Sequence, residues 1–447
     1  MQAYIDIYKN KEVKFKYRKK DYVFSLSHGL FSSAEIDTGS HFLLKVFSEY
    51  LDECIKNSEP LPQKILDAGS GIGVLGICAA TAVSDTKGFE KDKLEIKFQD
   101  RDELARIFTI NNALKNNIPP NNFSAYTEPL LAGSKNSFWD LIISNIPAKA
   151  GLPVLEDFVQ RSRGILSEKG RAFIVVVNPL ALFFETMIKK NAALLLCEKT
   201  KGHTVFVYKR DLEKSGQTLP CLLKERFYTD CPAYIRNKSK FEIEKISYNM
   251  ETVHGASGFD NPGFDILTAA KLTKKLGQKI FSNKDKPSIL VWSEDQGHFS
   301  SWFSAYIKND GLFIKNDIRL IVSGRNILSL VMAKYNTENN NQKPQNKIYI
   351  HCAADIYLDK EILLEKCGET GFSLIAYFPE IVPGTKFAET SWESFETLLE
   401  PGSIVIIAMA SSEAETFDRK KTNAFTRLGD IKRKGFRACA YCKKSNQ

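Results

Sequence analysis

Lys64-Ile65-Leu66-Asp67-Ala68-Gly69-Ser70-Gly71-Ile72-Gly73-Val74-Leu75-Gly76 is the stretch whose reading decides the fold. Ile65-Leu66 reads as a short buried strand ending at Asp67, and Val74 to Ala80 reads as a helix that opens straight after the glycines. Glycines between a strand and a helix let the backbone turn sharply and approach a ligand under the positive end of the helix. An acidic residue opens this loop, whereas the nicotinamide fingerprint starts with glycine. A second acidic residue, Asp100, closes the next strand, where a carboxylate can accept both hydrogens of a ribose diol.

Outward from the loop, short apolar runs alternate with helical periodicity. Leu94 to Phe98 reads as a strand, Glu103 to Leu114 as a helix and Asp140 to Ser144 as a buried strand. Val154 to Leu166 then reads as a helix and Ala172 to Val177 as a strand. That alternation predicts an α/β domain with a parallel sheet covered on both faces. Residues 211–245 break the rhythm with charges, Pro220 and Pro232, and predict a linkage that runs into a second domain. The Asn- and Gln-rich stretch Asn336 to Asn346 predicts a surface loop.

The second half repeats the first. Ile65-Leu66 faces Ile289-Leu290 and Arg101 faces Arg325, both at a shift of 224; His28-Gly29 faces His254-Gly255 at 226. Glu168-x-Gly170 faces Glu400-x-Gly402 at 232, and Gly202 to Tyr208 faces Gly435 to Tyr441 at 233. A nearly constant offset over five landmarks predicts one fold written twice. Domains of 1–210 and 246–447 follow, with the linkage and the start of the second copy between them.

Composition agrees with two soluble cores. The 447 residues are 43% hydrophobic and 26% charged, which excludes disorder, collagen and coiled coil. The longest apolar stretch, Ala172 to Phe184, is broken by Asn178-Pro179 and is too short to span a membrane. The N-terminus carries no basic-then-apolar export signal. Nine scattered cysteines suit reduced thiols, and the expected location is the cytoplasm. Cys439-x-x-Cys442 has no partner pair, and the six histidines form no ligand pattern, so no metal is expected. The net charge of +9 is mild and shared almost evenly between the halves, permitting a polyanionic partner without demanding one.

With both acidic residues and the glycine loop in place, the chain resembles the class I S-adenosylmethionine-dependent methyltransferases, which implies two tandem Rossmann-like domains. The resemblance implies that Asp67, Gly69, Gly71 and Gly73 hold the methionine part of S-adenosyl-L-methionine and that Asp100 holds the ribose. Arg101 and Thr127 would flank the adenine. Asp140-Leu-Ile-Ile-Ser-Asn145-Ile146-Pro147-Ala148 resembles the Asn-Pro-Pro-aromatic motif of methyltransferases acting on planar amino nitrogens. There the Asn145 side-chain oxygen and the following carbonyl would accept the two amine hydrogens, with Pro147 stiffening the loop. Ile146 stands for the first proline and Ala148 for the aromatic that stacks on a base.

Upstream, Phe31 to Leu44 resembles the leading motif of the methyltransferase small family, and the resemblance implies that Asp37 and Gly39 contact the cofactor. That family includes guanine-N2 ribosomal RNA methyltransferases, some of them tandem duplications with one inactive copy. The implied substrate is ribosomal RNA, alone or in the ribosomal subunit, at a guanine amino group. The alternatives are amino or amide methylation of a translation protein and a noncatalytic RNA-binding assembly factor. In the second copy Val291 stands for Asp67; Ser293, Asp295 and Gly297 for the glycines; Gly324 for Asp100; and Asn145 falls near Tyr377. Loss of both carboxylates predicts a degenerate copy without cofactor, used for substrate binding or scaffolding. Lys14-Phe-Lys16-Tyr predicts a strand with bases on one face and aromatics on the other, and Arg419 to Arg437 is a second basic cluster.

Overall fold

The computed structural model describes all residues except 32, 132–136, 212, 214–233, 257–259, 282–286, 310–317, 342–345, 369 and 446–447. The chain divides into two compact units, Met1–Tyr234 and Ile235–Gln447. Of the stretch expected to be a linkage, residues 214–233 lie outside the described residues, and from Ile235 the chain already belongs to the first hairpin of unit 2.

Unit 1 opens with α1 (Gln2–Tyr8) and the hairpin β1 (Lys11–Tyr17) and β2 (Lys20–Leu26), followed by α2 (Thr38–Asn57). Then come β3 (Lys64–Ala68), α3 (Val74–Ser84), β4 (Glu95–Asp100), α4 (Glu103–Lys115), β5 (Phe123–Thr127) and β6 (Trp139–Asn145). It closes with α5 (Leu152–Ile165), β7 (Leu166–Val177), α6 (Ala181–Asn191), β8 (Ala193–Lys199) and β9 (His203–Lys209). The sheet order is β5-β4-β3-β6-β7-β9-β8, with β9 antiparallel to both β7 and β8 and the other strands parallel. Phe173 of β7 meets Phe47 of α2, while Tyr208, on the alternate face of neighbouring β9, bonds Ser162 of α5 at 2.7 Å. Helices therefore cover both faces, and the strand order reverses beside β3, where such sheets open a crevice at their carboxyl ends.

Unit 2 repeats this. Its hairpin is β10 (Ile235–Ile243) and β11 (Ile246–Val253), followed by α7 (Phe264–Phe281), β12 (Ser288–Trp292), α8 (His298–Asn309), β13 (Arg319–Gly324) and α9 (Ile327–Asn340). Next come β14 (Lys347–Cys352), α10 (Lys360–Cys367), β15 (Phe372–Tyr377) and α11 (Phe387–Leu398). β16 (Leu399–Ala410), α12 (Ser411–Arg419), β17 (Phe425–Arg433) and β18 (Phe436–Lys443) complete it. The order β14-β13-β12-β15-β16-β18-β17 is that of unit 1. β12 is apolar on both sides: Ile289 and Val291 join one buried cluster, Leu290 and Trp292 the other, as a strand between two helical layers must be.

A pair of asparagines repeats with the fold. Asn112 of α4 accepts from the Ser25 N–H (2.8 Å) and donates to the Ser25 and Ile72 carbonyls (3.2 and 3.0 Å). Asn116 does the same for both backbone groups of Val23 (3.0 and 2.9 Å). In unit 2, Asn336 accepts from Glu251 N–H and donates to the Glu251 and Gln296 carbonyls, and Asn340 serves Asn249. An unpaired strand edge presents N–H and C=O groups that an amide side chain can match one for one. This corrects the surface loop expected over Asn336 to Asn346. Asn336 is buried within α9, because its amide carries the hairpin, and residues 342–345 lie outside the described residues.

The basic-aromatic alternation is as expected, with Phe15 and Tyr17 buried and Lys14 and Lys16 exposed. Its turn, Arg18-Lys19, has positive φ at both residues (46° and 64°), the geometry of a two-residue hairpin turn. Cys439 lies buried in β18 and Cys442 half-buried. Among the described residues no helix is long and apolar enough to cross a membrane.

Candidate functional site

The carboxyl ends of β3, β4 and β6 bring Asp67, Asp100 and Asn145 to one crevice. Asp67 is 1% exposed; its Oδ2 accepts the Gly76 N–H at 2.8 Å, while Oδ1 is buried with no hydrogen-bond partner. Burial, opposed by the Gly76 N–H and assisted by the charge of Asp100, pushes this carboxyl up to about 7. Asp100 accepts the N–H groups of Gly71 (2.9 Å) and Asp102 (3.0 Å), and burial, with the charge of Asp102, raises its pKa as well.

The loop between them is held by its backbone. Gly69 and Ser70 donate to the Gln99 carbonyl at 2.8 and 2.9 Å, and Thr109 Oγ1 donates to the Gly71 carbonyl at 3.0 Å. Gly69, Gly71 and Gly73 all have positive φ (75°, 55° and 87°). A Cβ at Gly71 would meet nothing within 4 Å, whereas one at Gly76 would lie 2.5 Å from the Phe98 ring and 2.8 Å from Asp67 Oδ2. Gly71 therefore borders open space and Gly76 lets the helix reach the carboxylate. A cradle with an orphaned carboxylate oxygen at one end and a second carboxylate at the other fits a ligand carrying an ammonium and a diol.

Asn145 ends β6. Its Nδ2 lies 2.8 Å from Asp37 Oδ1 and 3.3 Å from Ser40 Oγ. Asp37 in turn caps α2: Oδ1 accepts Ser40 N–H at 2.9 Å and Oδ2 accepts Ser40 Oγ–H at 2.7 Å. A carboxylate only accepts, so this contact fixes the amide with its nitrogen toward Asp37 and leaves Oδ1 for another donor. Asp37 thus caps α2 and holds Asn145. Gly39 lies beside it, where an added Cβ would come within 3.1 Å of both Asp37 Oδ1 and His203 Cδ2.

Ile146 is buried and its N–H bonds the Val175 carbonyl at 3.0 Å, while Pro147 and Ala148 are exposed. Ile146 therefore anchors the loop to β7. Arg101 is exposed at the end of β4. The Thr127 hydroxyl donates to Glu103 Oε2, and Glu128 receives Lys97 (3.0 Å) and Gln99 (2.8 Å). His203 is the residue of this rim that sequence reasoning missed. It stands at the start of β9, and the repeat Gly202 to Tyr208 marked its place without indicating its neighbours.

The second unit departs from expectation at the same place. Sheet register pairs Ile142 with Leu66 and Ile375 with Leu290. The counterpart of Asn145 is therefore Phe378 rather than Tyr377; Phe378 is buried against Phe299. The carboxylate thought lost at Val291 returns from the loop. Glu294 Oε2 accepts the Ser300 N–H at 2.7 Å, as Asp67 does with Gly76, and Oε1 is likewise buried without a partner. Burial pushes Glu294 up to about 8. No carboxylate replaces Asp100 at Gly324; Arg325, next to it, pairs with Glu380 at 3.4 Å.

Residues 21–207 match the family described as the methyltransferase small domain. The uncharacterized protein YbxB of Bacillus subtilis (strain 168) is 29% identical over 202 residues, 44% of this chain and 90% of that protein. Among solved structures, the 16S rRNA N2 methyltransferase RsmC of T. thermophilus, in complex with AdoMet and guanosine, has a TM-score of 0.61 at 14% identity, with 99% of each chain covered. That likeness shows the fold along the whole chain, both units included.

Proposed function

We propose that unit 1, whose residues 21–207 match the methyltransferase small domain, is an S-adenosyl-L-methionine-dependent methyltransferase that acts on an exocyclic amino nitrogen of RNA, a guanine N2 of ribosomal RNA, in the cytoplasm. The observation that carries the reading is the Asn145 amide, oriented by Asp37 so that Oδ1 is left to accept. An aryl amine has its lone pair drawn into the ring. Asn145 Oδ1 and the Ile146 carbonyl accept its two hydrogens, so that the lone pair turns toward the crevice. Pro147 limits the loop's freedom, presetting that geometry.

Asp67, with its orphaned oxygen, and the Gly69–Gly73 loop would hold the methionine part of the cofactor, and Asp100 the ribose, with Arg101 and Thr127 bordering the adenine. When bound, the cofactor supplies an electrophilic methyl on a sulfonium. The amine held by Asn145 and the Ile146 carbonyl would take this methyl, with the thioether as leaving group, and would give up its proton to solvent. A base in duplex cannot present this edge, so the substrate nucleotide is unpaired or flipped. RsmC, solved with guanosine, supports this reading at the level of fold.

Unit 2, with Phe378 in place of the amide and Gly324 in place of Asp100, is read as a copy without cofactor that binds substrate. The exposed Ala148, where an aromatic would stack on a base, favours a second reading, an amine or amide of a translation protein. Transfer of labelled methyl from S-adenosylmethionine to cell extract, separated into RNA and protein, tests both. Label in RNA is expected. Label only in protein overturns the RNA reading, and label in neither favours a noncatalytic binding factor.

A further inference from the structure

We propose that the β17–β18 hairpin tip of unit 2 is a grip for the phosphodiester backbone of single-stranded RNA, an inference that rests on the RNA reading of unit 1. The tip turns through Lys434 and Gly435, both at positive φ (44° and 84°), so Arg433 pairs directly with Phe436. This tight turn projects Lys432, Arg433 and Lys434 in sequence, all exposed.

Cations nearer the hairpin's base are already satisfied. Asp430 takes Arg427 at 2.9 Å and Arg437 at 2.8 Å, and Asp418 takes Arg427 at 3.2 Å. Among the described residues, no carboxylate lies in ion-pair range of Lys432, Arg433 or Lys434. Arg433 and Lys434 stand instead over an aromatic platform. The Arg433 guanidinium lies 5.7 Å and the Lys434 ammonium 5.2 Å from the Phe264 ring centroid, and Phe436 lies 6.4 Å from Phe264. Rings beneath the cations hold them without neutralising them, so their charge remains for an external anion.

Position adds to chemistry. Phe436 pairs with Ala410, the last residue of β16, and the Ser411 N–H bonds the Gly435 carbonyl at 2.7 Å. The tip therefore sits on the rim formed by the carboxyl ends of the parallel strands. On the equivalent rim of unit 1, His203 packs at Gly39 beside the candidate catalytic amide. The repeat that aligns Gly202 with Gly435 aligns His203 with Phe436. One copy thus has its candidate chemistry at this rim, and the other has three exposed cations, two of them over an aromatic ring.

Polyanion binding by such a cluster shows as salt dependence, with a slope of about 0.7 per phosphate neutralised on single strands. Anisotropy of a labelled single-stranded ribosomal RNA fragment would be followed against salt for the full chain and for a Lys432→Ala, Arg433→Ala, Lys434→Ala triple variant. The slope of log K against log salt is expected to fall by about 2, with affinity lowered at least about tenfold at low salt. A Lys432→Arg, Lys434→Arg variant should retain both. Calorimetric binding of S-adenosylmethionine, unchanged in the triple variant, shows that unit 1 is intact. Wild-type binding to RNA with an unaltered slope in the triple variant overturns the hairpin assignment and leaves the RNA reading standing. No RNA binding by the wild type, together with label confined to protein in the transfer assay, overturns the RNA reading itself. Loss of binding to anionic phospholipid vesicles, with RNA binding unchanged, also overturns the hairpin as an RNA site.

Discussion

Asp67→Asn separates the cost of the proposed cofactor carboxylate from its use. In the fold the carboxyl is pushed from 3.8 to about 7, chiefly by burial. At 1.36 kcal/mol per pH unit, this interval corresponds to about 4 kcal/mol of destabilisation of the unliganded unit at alkaline pH. The folded-state value is the raised one, so folding favours the protonated form. The penalty is absent below pH 3.8, grows as pH rises to about 7, and is constant above that. Asparagine keeps an oxygen for the Gly76 N–H and puts Nδ2 where Oδ1 has no partner. The new buried N–H costs about 1–3 kcal/mol at every pH. The stability difference between variant and wild type should therefore climb in favour of the variant by about 3–4 kcal/mol between pH 4 and pH 8. Urea unfolding read by pulsed hydrogen exchange on β3 and α3 peptides isolates unit 1 from unit 2. A difference that stays within about 1 kcal/mol across this range would refute the reasoning. Calorimetry on the same variant should show weakened cofactor binding, the functional side of the trade.

Asn145→Ala should keep cofactor affinity and abolish methyl transfer; retained turnover removes Asn145 from the reaction. Asp37→Asn, which can still cap α2 but no longer dictates the orientation of the Asn145 amide, should lower kcat by about tenfold or more with cofactor Kd little changed. Asp100→Ala removes an acceptor of two loop N–H groups and the proposed ribose anchor. Cofactor affinity should fall by about 10- to 100-fold in calorimetry, and an unchanged Kd sinks the ribose assignment. Asn112→Ala strands the Ser25 N–H and the Ser25 and Ile72 carbonyls, so unit 1 should lose about 2–4 kcal/mol in denaturant melts. Asn336→Ala should do the same to unit 2, and a neutral result in either would show that the hairpin is held elsewhere.

The parts of the fold set by period and punctuation were legible in the sequence. Ile65-Leu66, the glycine loop and the apolar helix after it predict a buried strand and helix, and the offsets predict the repeat. Contacts between segments far apart in the chain were not legible. Asp37 meets Asn145 across 108 residues, and no local pattern shows that a helix cap also orients a distant amide. Asn336 misled for a related reason. An Asn-rich run reads as a loop because asparagine favours turns, yet here its amide matches the backbone of a strand 85 residues away. Glu294 misled because residue-by-residue alignment asks what replaces Asp67 in the strand. The helix N–H needs only a carboxylate in reach, from whichever residue supplies it.

The two loops, set side by side, separate what the fold requires from what the ligand requires. Gly73 and its counterpart Gly297 both have positive φ and both press on the neighbouring helix. An added Cβ would lie 3.1 Å from Thr109 Cγ2 in one unit and 2.5 Å from Ala333 Cα in the other. That glycine is kept because packing of α3 on α4, and of α8 on α9, leaves no room. Gly69 and Gly71 have little or nothing in front of them, and in unit 2 they become Ser293 and Asp295, which still adopt the left-handed turn (55° and 62°). The turn is thus imposed by the fold even where it strains a side chain, while the bare backbone facing open space persists in the unit read as holding the cofactor. Gly76 follows the same logic. Its Cβ would strike Phe98 and Asp67, and where Val322 and Val291 take those places, Ser300 is accommodated. On the proposed reading, Asp67 serves both helix and ligand. Unit 2 supplies the helix contact from Glu294, with a like unpartnered oxygen, but has no counterpart of Asp100.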